Sequence, residues 1–156
     1  LTGHVTVSTT WPGSSSPYVL DGVRQGTFTY NWWTAVNSGA TLTIDSGAVV
    51  KMQSIHRIEI SSGGVLNANG AVFTSFIDDT VGGDANADGS ATQPAPGDWQ
   101  SLYFNGGGGA LDGCIIRFGG QSGAPGGDAN VAISSNAFPT ISHCAISNSI
   151  ADGIWL

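Results

Sequence analysis

The densest group of chemically capable side chains in this 156-residue sequence is Asp84-Ala85-Asn86-Ala87-Asp88-Gly89. Oxygen-bearing side chains at alternate positions, followed by a glycine that allows a sharp turn, form the opening of an EF-hand-type calcium loop, and Ser90 falls on the next ligand position. The twelfth position of such a loop carries a bidentate Glu, but here it is Ala95. Asp98, Asp78 or Asp79 is expected to substitute, because the segment returns to the body of the fold at Trp99. Five carboxylates lie between positions 78 and 98, and they repel one another unless a cation joins them. The expectation is a calcium site drawn from Asp79, Asp84, Asn86, Asp88, Ser90 and Asp98. The competing reading is a polar surface turn, which Asp, Asn and Gly populate readily.

Other groupings are poorer. Gly126-Gly127-Asp128-Ala129-Asn130 echoes the loop without its second Asp and reads as a turn. Gly106-Gly107-Gly108-Gly109 lacks the Lys and the following helix of a phosphate cradle, so it reads as a tight corner. A glycosidase needs two carboxylates flanking the scissile bond, yet Glu59 is the only Glu and no second acid accompanies it on its strand. A polysaccharide lyase needs a cation and a basic side chain. Arg57, Arg117 and Lys51 fall on outward strand positions, where solvating the outer faces is the simpler role. His4 and His56 lack the spacing of a zinc site, and His143 points away from Cys144. No catalytic set is expected. Trp32, Trp33 and Trp99 are candidate platforms for stacking on sugar rings, although neighbours on a strand project oppositely, so at least one of the Trp32–Trp33 pair is expected to be buried.

Composition limits the elements that position these groups. The chain has 24 Gly and hardly any Glu or Lys, which disfavours helix because Gly costs about 1 kcal/mol per helical position. Apolar residues make up 40%, enough to argue against disorder. A formal charge of −7 with four scattered cations disfavours nucleic acid and anionic membrane surfaces. No apolar run is long enough for a membrane span.

Short stretches alternate with period two throughout, among them residues 40–44, 56–60, 65–68, 101–104 and 114–118, separated by Gly/Ser/Asn/Asp turns. Residues 110–117 align with residues 140–147, 30 positions on. Strands of three to five residues with repeats of this length mark a solenoid whose coils stack in parallel about 4.8 Å apart. Leu42, Ile44, Ile58, Ile60, Leu66, Phe73, Leu102, Phe104, Cys114, Ile116, Ile133, Ile141 and Ile146 are expected to stack inside. Cys114 and Cys144 take equivalent places on adjacent coils. An inward ladder of unreactive thiols is favoured there, and a disulfide is the alternative that the spacing also permits.

Several segments resemble secreted right-handed parallel β-helix proteins of the pectate-lyase-like kind. They are residues 16–20 and 39–51, Phe73-Thr74-Ser75, the loop 82–89, Pro96-Gly97-Asp98-Trp99, Ile116-Arg117-Phe118-Gly119-Gly120 and the stretch 146–154. The resemblance implies an all-β, right-handed parallel β-helix of about four to five coils, an extracellular or cell-surface location and a metal-tied excursion near residue 84. Aromatic residues 1–35 are expected to form an N-terminal cap and residues 36–156 the helix. Ile154-Trp155-Leu156 stops inside a strand pattern, so copies of the chain, or the remainder of a longer one, are expected to cover that end. The functional expectation is a non-catalytic structural or adhesion module, stabilised by calcium and stacking end to end. The alternative is a fragment of a calcium-dependent polysaccharide lyase or other carbohydrate-active protein, with Arg117 at its centre.

Overall fold

The computed structural model describes residues 3–21, 24–25, 29–30, 33–123, 125 and 128–156. The period-two stretches are strands, and each turn of the chain contributes one strand to each of three parallel sheets. The first coil comprises β1 (Gly3–Val5), β2 (Thr9–Trp11) and β3 (Tyr18–Leu20). A small antiparallel pair, β4 (Arg24–Gln25) and β5 (Thr29–Tyr30), precedes the second coil. That coil holds β6 (Trp33–Val36), β7 (Thr41–Ile44) and β8 (Val49–Met52). The third holds β9 (Arg57–Ser61), β10 (Val65–Asn69) and β11 (Val72–Ser75). The fourth holds β12 (Leu102–Asn105), β13 (Gly108–Asp112) and β14 (Ile115–Arg117). The fifth holds β15 (Val131–Ser134), β16 (Thr140–Ser142) and β17 (Ala145–Ser147), after which β18 (Ile154–Trp155) starts a further turn on β15.

The sheets run β1-β6-β9-β12-β15-β18, β2-β7-β10-β13-β16 and β3-β8-β11-β14-β17. The architecture is an all-β parallel β-helix of about five coils. Among the described residues no helix is long and apolar enough to cross a membrane.

Parallel register turns alternation into columns of like side chains. Val36, Ile60, Phe104 and Ile133 occupy one column of the first sheet, and Ile44, Ala68, Leu111 and Ile141 one column of the second. Val50, Phe73, Ile116 and Ile146 do the same in the third. The inner columns are fully buried through the middle coils, and Ile133, Ile141 and Ile146 are half-buried on the fifth. The first coil lies within the stretch expected to cap the helix. It stacks on the second coil as a rung in register, with Trp11 paired with Ile44 and its ring stacked on Tyr18 at 5.1 Å.

Connection length is not spread evenly. The three longest connections, residues 21–32, 76–101 and 118–130, all leave the third sheet and return to the first. The last two are stitched together: Gly97 N–H donates to Gly119 O (3.0 Å), Asp98 N–H to Phe118 O (3.0 Å) and Gln121 N–H to Trp99 O (3.1 Å).

Candidate metal centre

The 76–101 excursion lies across the outside of the third sheet. Alternation along β8 turns Val50 and Met52 inward and Val49 and Lys51 outward, yet all four are buried. Gly82 accounts for this: a Cβ there would meet Val49 Cγ1 at 3.1 Å and Lys51 Cε at 3.4 Å, and its φ is +68°. Only glycine suits both the approach and the left-handed backbone. Lys51 donates from Nζ to the Gly83 carbonyl. Its burial pushes the ammonium pKa down, against the opposing pull of Asp79, Asp78 and Asp84. The expectation that Lys51 solvates an outer face is therefore corrected, because a distant part of the chain covers it.

Beside Lys51, Asp78 is fully buried. It accepts hydrogen bonds from Thr74 Oγ1, from Thr80 N–H (3.3 Å) and Oγ1 (2.6 Å), and from Arg117 Nε (2.9 Å). Arg117 Nη2 completes an ion pair at 2.7 Å. Burial alone would raise the Asp78 pKa, but these donors and the guanidinium outweigh it and hold the carboxyl below its usual range. Asp78 thus anchors the excursion to β11 and β14.

One oxygen each of Asp79, Asp84 and Asp88 lies within 4.8 Å of the others. Asp84 is held by the turn itself, accepting from Gly89 N–H (2.9 Å) and Asp88 N–H (3.3 Å), and these backbone donors lower its pKa, the Gly89 bond foremost. Asn86 Nδ2 donates to Asp88 Oδ2 (2.8 Å) and Thr92 Oγ1 (3.0 Å), while Thr92 donates to the same Asp88 oxygen (2.6 Å). Four buried oxygens are left with no donor: both of Asp79, Oδ1 of Asn86 and Oδ1 of Asp88. Burial raises the Asp79 pKa, with Asp84, Asp88 and Asp78 adding repulsion that Lys51 only partly offsets. Carboxylates and an amide carbonyl, without imidazole or thiolate, are the donor set of a hard cation such as calcium. Unsatisfied buried acceptors are costly and a cation would satisfy them, so the residues present fit the ion.

The remaining expected ligands lie elsewhere. Ser90 is exposed, its N–H bonded to Asp88 O at 3.1 Å. Asp98 accepts from Ala95 N–H (3.0 Å) and lines a recess of about 330 Å³ with Met52, Phe76 and Ile77. It is not one of the three converging acids.

The aromatic platforms divide similarly. Trp99 is fully buried where the excursion rejoins the helix, its Nε1 donating to Arg117 O at 2.9 Å, and it offers no ring face to a sugar. Trp33 carries the Arg57 guanidinium 4.8 Å from its ring centroid. Trp32 lies outside the described residues. Arg57 is further engaged by Glu59 (2.8 Å) and Gln100 (3.2 Å), and Glu59 also accepts from Asn105 Nδ2 (3.0 Å). Both cysteines are free, and the four glycines form the corner between β12 and β13 and the start of β13.

Sequence reasoning missed Lys51, Thr74 and Arg117 as supports of this region. The available signal was that all three fall on strands of the third sheet, where Lys51 and Thr74 are register partners. A scan against models of known families, a search of curated proteins and a search of solved structures each found no match.

Proposed function

We infer that this chain is a calcium-stabilised β-helix module of an extracellular scaffold, structural or adhesive rather than catalytic, related in design to the pectate-lyase-like solenoids it resembles. The convergence of Asp79, Asp84 and Asp88 around buried, unpartnered oxygens carries the reading. Calcium bound there would tie the 84–92 turn to Asp79, and through Asp78 and Lys51 to the outside of the helix. Support also comes from the basic side chains: Arg117 is committed to Asp78, Arg57 to Glu59, and Lys51 to Gly83. None of these three stands free as the base of a lyase.

The same reading gives the last coil a partner. Ile150, Ile154, Trp155 and Leu156 are exposed there, and no described strand pairs with the outer edges of β16, β17 and β18. Copies of the chain, or the remainder of a longer one, would add the next rung. Size-exclusion chromatography with negative-stain microscopy tests the end-to-end version: concentration-dependent rods are expected, and a clean monomer at high concentration removes it.

Calorimetric titration with calcium tests the metal. One ion per chain is expected, with uptake lost in Asp88→Asn. At a hundredfold excess over Kd the ion would stabilise the fold by about 2.7 kcal/mol, which chelator would reverse. No heat of binding, with an unchanged melting temperature in chelator, overturns the reading.

A further inference from the structure

The fourth and fifth coils each turn one cysteine inward at the same place. Ile115 pairs with Ala145 and Ile116 with Ile146, and Ala145 N–H donates to Cys114 O at 2.8 Å, so Cys114 and Cys144 face each other across one rung spacing. Parallel neighbours stand about 4.8 Å apart, inside the Cα separation that a disulfide spans without backbone movement. Their local settings are equivalent. The Cys114 thiol donates to Ala68 O and the Cys144 thiol to Leu111 O, at 3.5 and 3.4 Å, and Ala68 and Leu111 are themselves register partners. Cys114 is buried, and the neighbouring Cys144 adds to the upward displacement of its pKa.

We propose that Cys114 and Cys144 are a cross-linking site: with a disulfide oxidant of the glutathione class they form an intramolecular bond that staples the fifth coil to the fourth.

Their unequal burial fixes the order of events. Cys144 is half-buried and Cys114 is closed off by β10 and β13. The Cys144 thiolate attacks one sulfur of the oxidant, forming a mixed disulfide and releasing one glutathione thiolate. Cys114 then loses its proton to solvent, attacks the Cys144 sulfur and releases the second thiolate. Two thiols are oxidised, one oxidant disulfide is reduced to two thiols, and two electrons pass between them. Burial pushes the Cys114 thiol up to about 11, so it is slow as a first attacker and suited to the intramolecular step, where its partner is already in place.

The bond would reinforce the coil that needs it most. The inward residues Ile141, Cys144 and Ile146 are half-buried, whereas their counterparts Leu111, Cys114 and Ile116 are buried. The staple leaves the metal site untouched, so it stands or falls independently of the calcium reading.

The test is incubation of the intact chain in a glutathione redox buffer, followed by mass spectrometry and thiol counting in denaturant. The expected product is about 2 Da lighter with no free thiol, and melts about 5–10 °C higher than the reduced chain. Cys144→Ser should show neither change. Cys114→Ser should stop at the mixed disulfide on Cys144, which the intact chain resolves. Two thiols persisting in the intact chain, a stable glutathione adduct on it, or cross-linked dimers in place of the intramolecular bond would overturn the proposal.

Discussion

At the scale of single residues, the side chains that matter most are polar ones in dry surroundings. His56 is buried, with Nε2 within 3.1 Å of Thr34 Oγ1 and Nδ1 without a partner. Burial foremost, with the Arg57 charge adding to it, lowers its pKa to about 4. An unfolded histidine titrates near 6.5, so between these values the unfolded chain binds the proton and the folded chain does not. Stability associated with His56 is therefore complete above about pH 6.5 and is lost as pH falls toward 4, by up to roughly 3 kcal/mol. Denaturant unfolding of the native chain and of His56→Gln across pH 4–7 checks this. The native curve should lose stability over that interval and the variant should lose distinctly less. The Asp78 pKa is displaced in the same direction, held down by Thr74, Thr80 and Arg117, so its stabilising effect is present above the unfolded value near 3.9 and is lost only in stronger acid.

At the scale of elements, register determines which positions tolerate a side chain. Gly109 in β13 pairs with Leu66, has φ +132°, and a Cβ there would sit 1.9 Å from the Leu66 carbonyl oxygen. That oxygen belongs to the neighbouring rung and cannot move without breaking the ladder. Gly109→Ala should cost at least about 3 kcal/mol by chemical denaturation, whereas Gly108→Ala, with nothing within 4 Å, should stay within about 0.5 kcal/mol. Equal effects of the two would contradict the register. The strands themselves were legible in the sequence, because period-two alternation bounded by glycine turns has few other meanings, and the aligned segments around Cys114 and Cys144 placed adjacent coils correctly. The outer layer was not legible. Alternation separates the inside of a coil from its outside, but it does not reveal that residues 76–101 fold back over Val49 and Lys51. Trp99 was ambiguous for the same reason: it sits at a re-entry point with no periodic context, and its burial depends on the stitching of two distant excursions. The acids of the 84–88 turn were legible from their spacing. Asp79 as their converging partner, in place of Asp98, depended on the path of the excursion.

At the scale of the whole molecule, the helix divides labour between a regular interior and one irregular edge. Apolar columns run the length of the three sheets, while the long connections all lie between the third sheet and the first. Length added on that edge leaves the stacking of the rungs unaltered, and it lets the chain carry a second, polar layer held by Lys51, Asp78 and Arg117. The central claim is that a calcium ion completes this layer. Hydrogen exchange of the intact chain, compared with saturating calcium and with chelator, tests it most directly, because it reads the excursion and the helix separately. Protection at residues 84–92 should rise strongly with calcium, while β9, β10 and β12 remain protected in both conditions. Identical exchange of residues 84–92 with and without the ion would contradict the account.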